Sequence, residues 1–166
     1  LFQQVPSPLA GAVTISITGN TPSQVFTVSG NGCAPGACTT PQTLQWTPGA
    51  SCTVGFVSPY SVSLGTQYVL TGWQDGSLAN PRVIVAPAQT TTYTATFKTQ
   101  YHATVVVSPA EGGTVTGTGW VDSAGTATLT ATAAGGYRFV NWSGSLAPLA
   151  NPTLVQMYNP QTITAN

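Results

Sequence analysis

The chain has 166 residues, and its three basic and three acidic side chains make up only 4% of it and leave no net charge. Binding of nucleic acid requires clustered Lys and Arg that neutralise phosphates, and a membrane-spanning helix requires about 20 consecutive apolar residues. The sequence has neither feature, so we expect no nucleic-acid partner and no membrane span.

The first ten residues, 1–10, contain Pro6 and Pro8 and show no alternation of apolar and polar residues. We predict either an N-terminal lead-in or an exchanged segment that adds to the sheet of a neighbouring subunit. A start at Leu1 without Met fits a mature product after removal of a signal peptide. The expected location is therefore secreted or cell-surface.

Beyond residue 10, apolar and polar residues alternate with a period of two, which is typical of half-buried strands. The first such strand has Val13, Ile15 and Ile17 on one face, and these are candidates for strand exchange between identical subunits. Further predicted strands cover residues 25–29, 43–46, 52–57, 67–73, 82–85, 91–97, 102–107, 113–118, 126–133, 137–142, 153–157 and 161–165. The Gly- and Pro-rich connections are too short for crossover helices. We predict an all-β class with two tandem, small, antiparallel sandwich-like modules, residues 11–99 and 100–166, and no substantial helix.

The three cysteines, Cys33, Cys38 and Cys52, all lie in the first module. A Pro-Gly turn signal between Cys33 and Cys38 predicts a disulfide between these two, which leaves Cys52 as a buried thiol. A zinc site is the competing interpretation, but the only histidine, His102, lies beyond the first module. We therefore predict no metal and no cofactor.

A block of sequence occurs twice: Tyr68 to Trp73 recurs as Tyr137 to Trp142, and each copy precedes Leu-Ala-Asn-Pro. Such a repeat indicates duplicated modules. We predict that all four of these aromatic residues supply the cores, although the odd Tyr-to-Trp interval places the two rings of a copy on opposite strand faces unless a bulge intervenes. Candidate surface aromatics for stacking on a ligand are Trp46, Trp120, Tyr60 and Tyr158.

The second module contains Gly112-Gly-Thr-Val-Thr-Gly-Thr-Gly119, Gly136-Tyr-Arg-Phe-Val-Asn-Trp-Ser-Gly144 and Ile163-Thr-Ala165. This series resembles the divergent B-repeat domains named after internalin B. The first module, through Tyr68 to Gly76 and Thr92 to Phe97, resembles a longer variant that precedes such repeats. The resemblance implies a β-rich spacer, adhesin or matrix module of a secreted or cell-surface bacterial protein, without catalysis.

The ionisable residues do not form a recognisable catalytic set. Asp75, Glu111 and Asp122 fall in different loops or modules, whereas acid–base catalysis of glycoside hydrolysis needs paired carboxylates. A nucleophile would need a base, and His102 has no Asp or Glu near it in the sequence. We predict no enzymatic activity.

Two functions remain open. The first is a structural, spacer or adhesive module whose partners are neighbouring modules or identical subunits, and which forms a filament by β-strand addition. The alternative is a carbohydrate- or matrix-binding module that uses the exposed aromatics to contact a glycan or matrix surface.

Overall fold

A computed structural model describes residues 11–145, 147–148 and 150–166, so the segment 1–10 lies outside the described residues. The strands are β1 (Val13–Gly19), β2 (Val25–Ser29), β3 (Gly36–Thr39), β4 (Gln42–Trp46), β5 (Ser51–Phe56), β6 (Tyr60–Ser63), β7 (Thr66–Trp73), β8 (Arg82–Val85), β9 (Thr91–Val107), β10 (Gly113–Thr116), β11 (Gly119–Asp122), β12 (Thr126–Ala133), β13 (Trp142–Gly144), β14 (Thr153–Gln156) and β15 (Gln161–Ala165). One turn of 3-10 helix at Ala110–Gly112 precedes β10. The all-β prediction is confirmed. Across the described ranges, no helix is long and apolar enough to cross a bilayer.

The chain divides into two compact units. The first comprises residues up to 60 together with 70–97, and the second comprises 61–69 together with 98–166. Strand β9 contributes residues 91–97 to the first unit and 98–107 to the second. The sequence-based boundary between residues 99 and 100 stays a prediction.

The first unit contains two sheets whose inner faces share one core. One sheet has the order β7-β9-β1-β4 and the other β3-β2-β5-β8. Phe56 of β5 lies with its ring centroid 5.6 Å from that of Trp73 in β7 and 5.3 Å from that of Phe97 in β9. These contacts join the two sheets into a sandwich, as the alternating sequence predicts.

The second unit repeats this arrangement. One sheet has the order β13-β15-β9-β11 and the other β10-β12-β14. Its core joins Leu129 of β12 and Val155 of β14 to Trp142 of β13 and Ile163 of β15. Residues 61–69 of this unit hold most of β6, which pairs with β7, and the start of β7 itself. Each of the other strands of this unit has a counterpart in the first, and β3 is an additional edge strand of the first unit.

Two strand pairings are parallel, which the sequence did not predict. In the first unit β1 pairs parallel with β9, with Ile15 opposite Thr91, and in the second β9 pairs parallel with β15, with Ala103 opposite Gln161. Parallel neighbours need a long connection. Here the first and last strands of each unit lie side by side, so the remaining strands of that unit supply the connection.

The strand-exchange prediction for Val13, Ile15 and Ile17 stays a prediction, and the fold gives it no support. Strand β1 pairs with β4 on one edge and with β9 on the other, and the three side chains are buried. An exchanged strand needs a free edge or a vacant position in a sheet, and β1 already occupies a central position within its own chain.

The strand predicted over residues 137–142 is wrong, since β13 begins only at Trp142. Its counterpart β7 extends over Thr66–Trp73 because β9 runs alongside it. In the second unit the corresponding ladder ends where the Val140 N–H donates to the Asn166 carbonyl at 2.8 Å. Residues 137–139 belong to no strand of the described fold.

Candidate functional site

The repeated tryptophans are anchored in the same way in both units. The indole N–H of Trp73 donates to the carbonyl of Ala79 at 3.0 Å, and that of Trp142 donates to the carbonyl of Ala150 at 2.9 Å. Both rings are buried, as predicted. The Ala of each Leu-Ala-Asn-Pro motif thus satisfies the one polar atom that a buried Trp brings into a core.

The Asn of each motif extends a strand ladder with its side chain. Asn80 accepts from the backbone N–H of Phe56 at 2.8 Å and donates to its carbonyl at 2.9 Å. Asn151 makes the same pair with Ala131, at 2.9 and 2.8 Å. The Asn side chain, with one donor and one acceptor, thus acts as a backbone N–H and C=O pair would at the end of each ladder. We call this two-bond pairing an Asn clamp.

The repeated tyrosines are less buried than the tryptophans. Tyr68 is half-buried in β7, and Tyr137 is 45% exposed. The prediction of a core position for Tyr137 is wrong, because the segment that holds it is not part of a sheet. Phe139, two residues on, packs against Trp142 instead, with ring centroids 5.2 Å apart.

The disulfide joins Cys33 to Cys52, and Cys38 is the free thiol. The predicted Cys33–Cys38 pair is therefore wrong. Cys38 lies on β3, where it faces Phe26 of the neighbouring strand β2, whereas Cys33 and Cys52 are both fully buried. Turn signals report local reversal of the chain, and this disulfide instead depends on tertiary contact between a loop and β5.

The four candidate surface aromatics do not behave alike. Trp46 is fully buried, so its prediction as a surface residue is wrong; it follows Leu44 at the alternating inward position of β4. Trp120 is 40% exposed and lies edge-on to His102 across the β11–β9 ladder, with centroids 5.0 Å apart. Tyr158 is exposed and Tyr60 is half-buried.

These aromatics also fall in different units. Trp46 and Tyr60 belong to the first, and Trp120 and Tyr158 to the second. Within the described residues, the ring contact of Trp120 is with His102 and not with another candidate. A shared stacking platform therefore stays a prediction without a structural counterpart.

A polar corner of the first unit holds Arg82 and Asp75. The Arg82 guanidinium lies 4.9 Å from the ring centroid of Trp73 and 5.4 Å from that of Tyr93, and it donates to the Asp75 carboxylate at 2.9 Å. Hydrogen bonding from Arg82 holds the pKa of Asp75 below its usual value. A cavity of about 230 Å³ lies at this corner, but the two charges already satisfy each other.

The second unit contains an apolar groove of about 310 Å³ at one end of its core. Val107, Ala131, Phe139 and Ala165 line it, and Arg138 lies at its rim. Sequence reasoning missed this groove, since small residues in a strand do not reveal whether neighbouring side chains fill the space they leave.

The remaining ionisable residues are dispersed. Lys98 and Asp122 form an exposed ion pair at 2.9 Å, and hydrogen bonds from Lys98 and Gln100 lower the pKa of Asp122. Glu111 accepts a long hydrogen bond from the Tyr137 hydroxyl, and His102 contacts Thr104. In the parts of the chain that the structure describes, no three His, Cys, Asp or Glu residues lie close enough to hold a metal ion.

Comparison with known protein families gives a match for the second unit. Residues 103–166 match the divergent InlB B-repeat domain family. The match covers less than half of the chain, so it supports the resemblance for this unit and not for the first. No curated protein matches the chain.

Among solved structures, the chain is similar to the major pilin protein (T-13) of Streptococcus pyogenes. The two share 12% identity over 93% of this chain and 96% of that chain, with a TM-score of 0.27. A TM-score this low carries no argument about fold or function.

Proposed function

We propose that the chain is a non-catalytic structural module of a secreted or cell-surface bacterial protein, which spaces neighbouring domains or builds an extracellular filament. The observation that carries the proposal is the duplication: both units repeat one strand order, one Trp-to-carbonyl bond and one Asn clamp. Repeated inward-facing patterns preserve a scaffold, and stacked scaffold units are the usual construction of spacers.

Two further observations support this role. The match of residues 103–166 to the divergent InlB B-repeat family agrees with a bacterial surface module. The Cys33–Cys52 disulfide fits an oxidising location, because cytosolic thiols are kept reduced.

The test places the chain between a bacterial surface anchor and an epitope tag. We expect the tag to be exported and to stay attached when the cells are treated with proteinase K, because the paired backbone resists cleavage. A variant with Trp73→Ala and Trp142→Ala serves as the unfolded control and should lose its tag. Loss of the tag from the unmodified chain at the control's rate would contradict a structural role.

Recognition of a glycan is the second candidate, and the exposed Trp120 beside His102 is the observation that favours it. Saturable binding on a glycan array that Trp120→Ala abolishes would establish it. Tyr158→Ala is the matched control, since that ring is also exposed in the second unit.

A further inference from the structure

The polar corner around Arg82 is a cavity whose lining combines aromatic, charged and amide side chains. Its volume is about 230 Å³, and its walls are Trp73, Gln74, Asp75, Arg82, Tyr93 and two Thr residues of β9. All of them belong to the first unit, so the cavity is complete within one compact unit. We call it the Arg82 corner.

The guanidinium at the centre of the corner is fixed by its neighbours. The Arg82 side chain is only 15% exposed, since it lies against the rings of Trp73 and Tyr93. It donates two hydrogen bonds to Asp75, whose side chain is 51% exposed. A guanidinium has more N–H donors than these two, so further donors remain for a ligand.

The corner offers donors and acceptors without a net charge. Hydrogen bonding from Arg82 lowers the pKa of Asp75, so the carboxylate stays an ionised acceptor at neutral pH, and Arg82 balances its charge. Gln74 is exposed, and its side-chain amide has no hydrogen-bond partner among the described residues. Because the charges already cancel, an ion gains little here, and an uncharged ligand that both donates and accepts hydrogen bonds fits better.

The backbone at the corner is already paired, which argues against a peptide ligand. The Gln74 N–H donates to the Thr94 carbonyl at 2.9 Å, and the Trp73 N–H donates to the Ser77 carbonyl at 2.8 Å. An extended peptide binds a sheet edge through main-chain hydrogen bonds, and these donors are taken. Side chains must therefore recognise the ligand.

The size and the walls of the corner fit a sugar ring. Sites for drug-sized ligands enclose about 300–1,000 Å³, so a cavity of about 230 Å³ suits something smaller. The half-buried ring of Tyr93 offers an apolar surface beside these polar groups. A sugar has the matching pair of surfaces, namely a C–H face and a rim of hydroxyls.

The second unit forms the same sandwich without this corner. Where the first unit has Arg82, Asp75 and Tyr93, the second has Thr153, Gly144 and Ile163. Ile163 is fully buried in the second core. The repeated fold therefore does not depend on the three side chains that give the corner its chemistry.

We propose that the Arg82 corner binds one uncharged sugar residue of a glycan. Asp75 accepts from sugar hydroxyls, while Arg82 and Gln74 donate to sugar oxygens. The ring of Tyr93 contacts the C–H face of the sugar. This site goes beyond the proposed spacer role, which needs no ligand, and it is separate from Trp120, which belongs to the second unit.

Nuclear magnetic resonance of the full chain tests the proposal, with glucose, galactose and N-acetylglucosamine as the probes. We expect at least one of these sugars to shift the indole N–H signal of Trp73 and the side-chain amide signals of Gln74 saturably, with a Kd of about 1 mM. Trp142 makes the equivalent indole hydrogen bond in the second unit, so its signal is the internal control and should not move.

Two variants connect the binding to the proposed contacts. Gln74→Ala removes one hydrogen bond from an exposed position and should raise the Kd about three- to tenfold. Asp75→Asn removes a charged acceptor and should raise it about tenfold or more. Gln89→Ala is the matched control, since Gln89 is an exposed Gln of the same unit outside the corner. Melting temperatures show that each variant is folded.

Four results would overturn the proposal. They are the absence of a saturable shift with all three sugars, shifts centred on the Trp120 indole instead of Trp73, equal shifts with the uncharged peptide triglycine, and binding that Asp75→Asn leaves unchanged. None of these results touches the spacer role, which the protease experiment tests, so the two failures are distinguishable.

Discussion

Replacing Asn80 with Ala removes both hydrogen bonds of the first Asn clamp and nothing else of comparable size. The side chain of Asn80 accepts from the Phe56 N–H and donates to the Phe56 carbonyl, and these bonds are partly buried beside the first core. A backbone group that loses its partner away from water costs about 1–3 kcal/mol. With two such groups and partial access of water, we expect a loss of about 2–4 kcal/mol in the free energy of unfolding.

Asn151→Ala gives an internal comparison within the same chain. Its two bonds to Ala131 have the same geometry but are exposed to solvent, so water replaces the lost partners. We expect a smaller loss, of about 1 kcal/mol, from this substitution. Asn31→Ala is the control, since in the described structure the exposed Asn31 side chain makes no hydrogen bond, and its effect should stay within about 0.5 kcal/mol.

Urea denaturation followed by circular dichroism measures the three variants, and hydrogen exchange of the Phe56 and Ala131 amides locates each effect. Exchange at Phe56 should accelerate in Asn80→Ala and exchange at Ala131 in Asn151→Ala. Equal losses for Asn80→Ala and Asn31→Ala would refute the clamp as a source of stability, and a larger loss for Asn151→Ala than for Asn80→Ala would refute the reasoning from burial.

Three further predictions concern the disulfide, pH and the two cores. The double substitution Cys33→Ala and Cys52→Ala should lower the free energy of unfolding by about 3 kcal/mol, the chain-entropy value for a loop near this length. Cys38→Ser should change that free energy little. Thiol titration of the unfolded, oxidised chain should find one thiol, at Cys38. Arg82 lowers the pKa of Asp75 in the folded chain. The stability that this pair contributes is therefore present above the unfolded pKa of about 3.9 and is lost as pH falls through the lower folded value. Between about pH 6 and 2, the melting temperature of Asp75→Asn should fall less steeply than that of the unmodified chain. In hydrogen exchange, the opening free energy at the Val54 amide in β5 should exceed that at the Leu129 amide in β12 by about 3 kcal/mol or more, since the first core holds the disulfide and more aromatic rings. Equal protection of the two amides would contradict this expectation.

The alternating pattern was sufficient to predict most strands, because a side chain's face depends only on its neighbours in the chain. Strands β8, β12 and β15 were predicted with the bounds that the structure gives them. The pattern failed at residues 137–141, where apolar residues are present but the structure has no strand before Trp142. It also missed the four-residue strands β3, β6 and β11. Strand β8 is equally short but was found, because Val83, Ile84 and Val85 are β-branched.

The errors at individual sites have two origins. Burial of Trp46 was predictable, since Leu44 two residues earlier indicates the same inward face. The partner of Cys33 was not, because the disulfide depends on which strand the loop lies against and not on the spacing of cysteines. The roles of Ala79 and Asn80 could not be predicted either. The repeat of Leu-Ala-Asn-Pro was visible in the sequence, but only the structure shows that the Asn80 amide bonds the backbone of Phe56 just beyond the β5–β8 register pairs.

Comparison of the two units separates what the duplication preserves from what it varies. The Trp-to-carbonyl bond and the Asn clamp recur with nearly equal distances, so both units share them. The ion pair of Arg82 and Asp75 does not recur, because Thr153 and Gly144 stand at these positions in the second unit. The apolar groove does not recur either, because Phe56 fills its place in the first unit. The two units therefore share the interactions of the repeated block and differ in the chemistry of these two places.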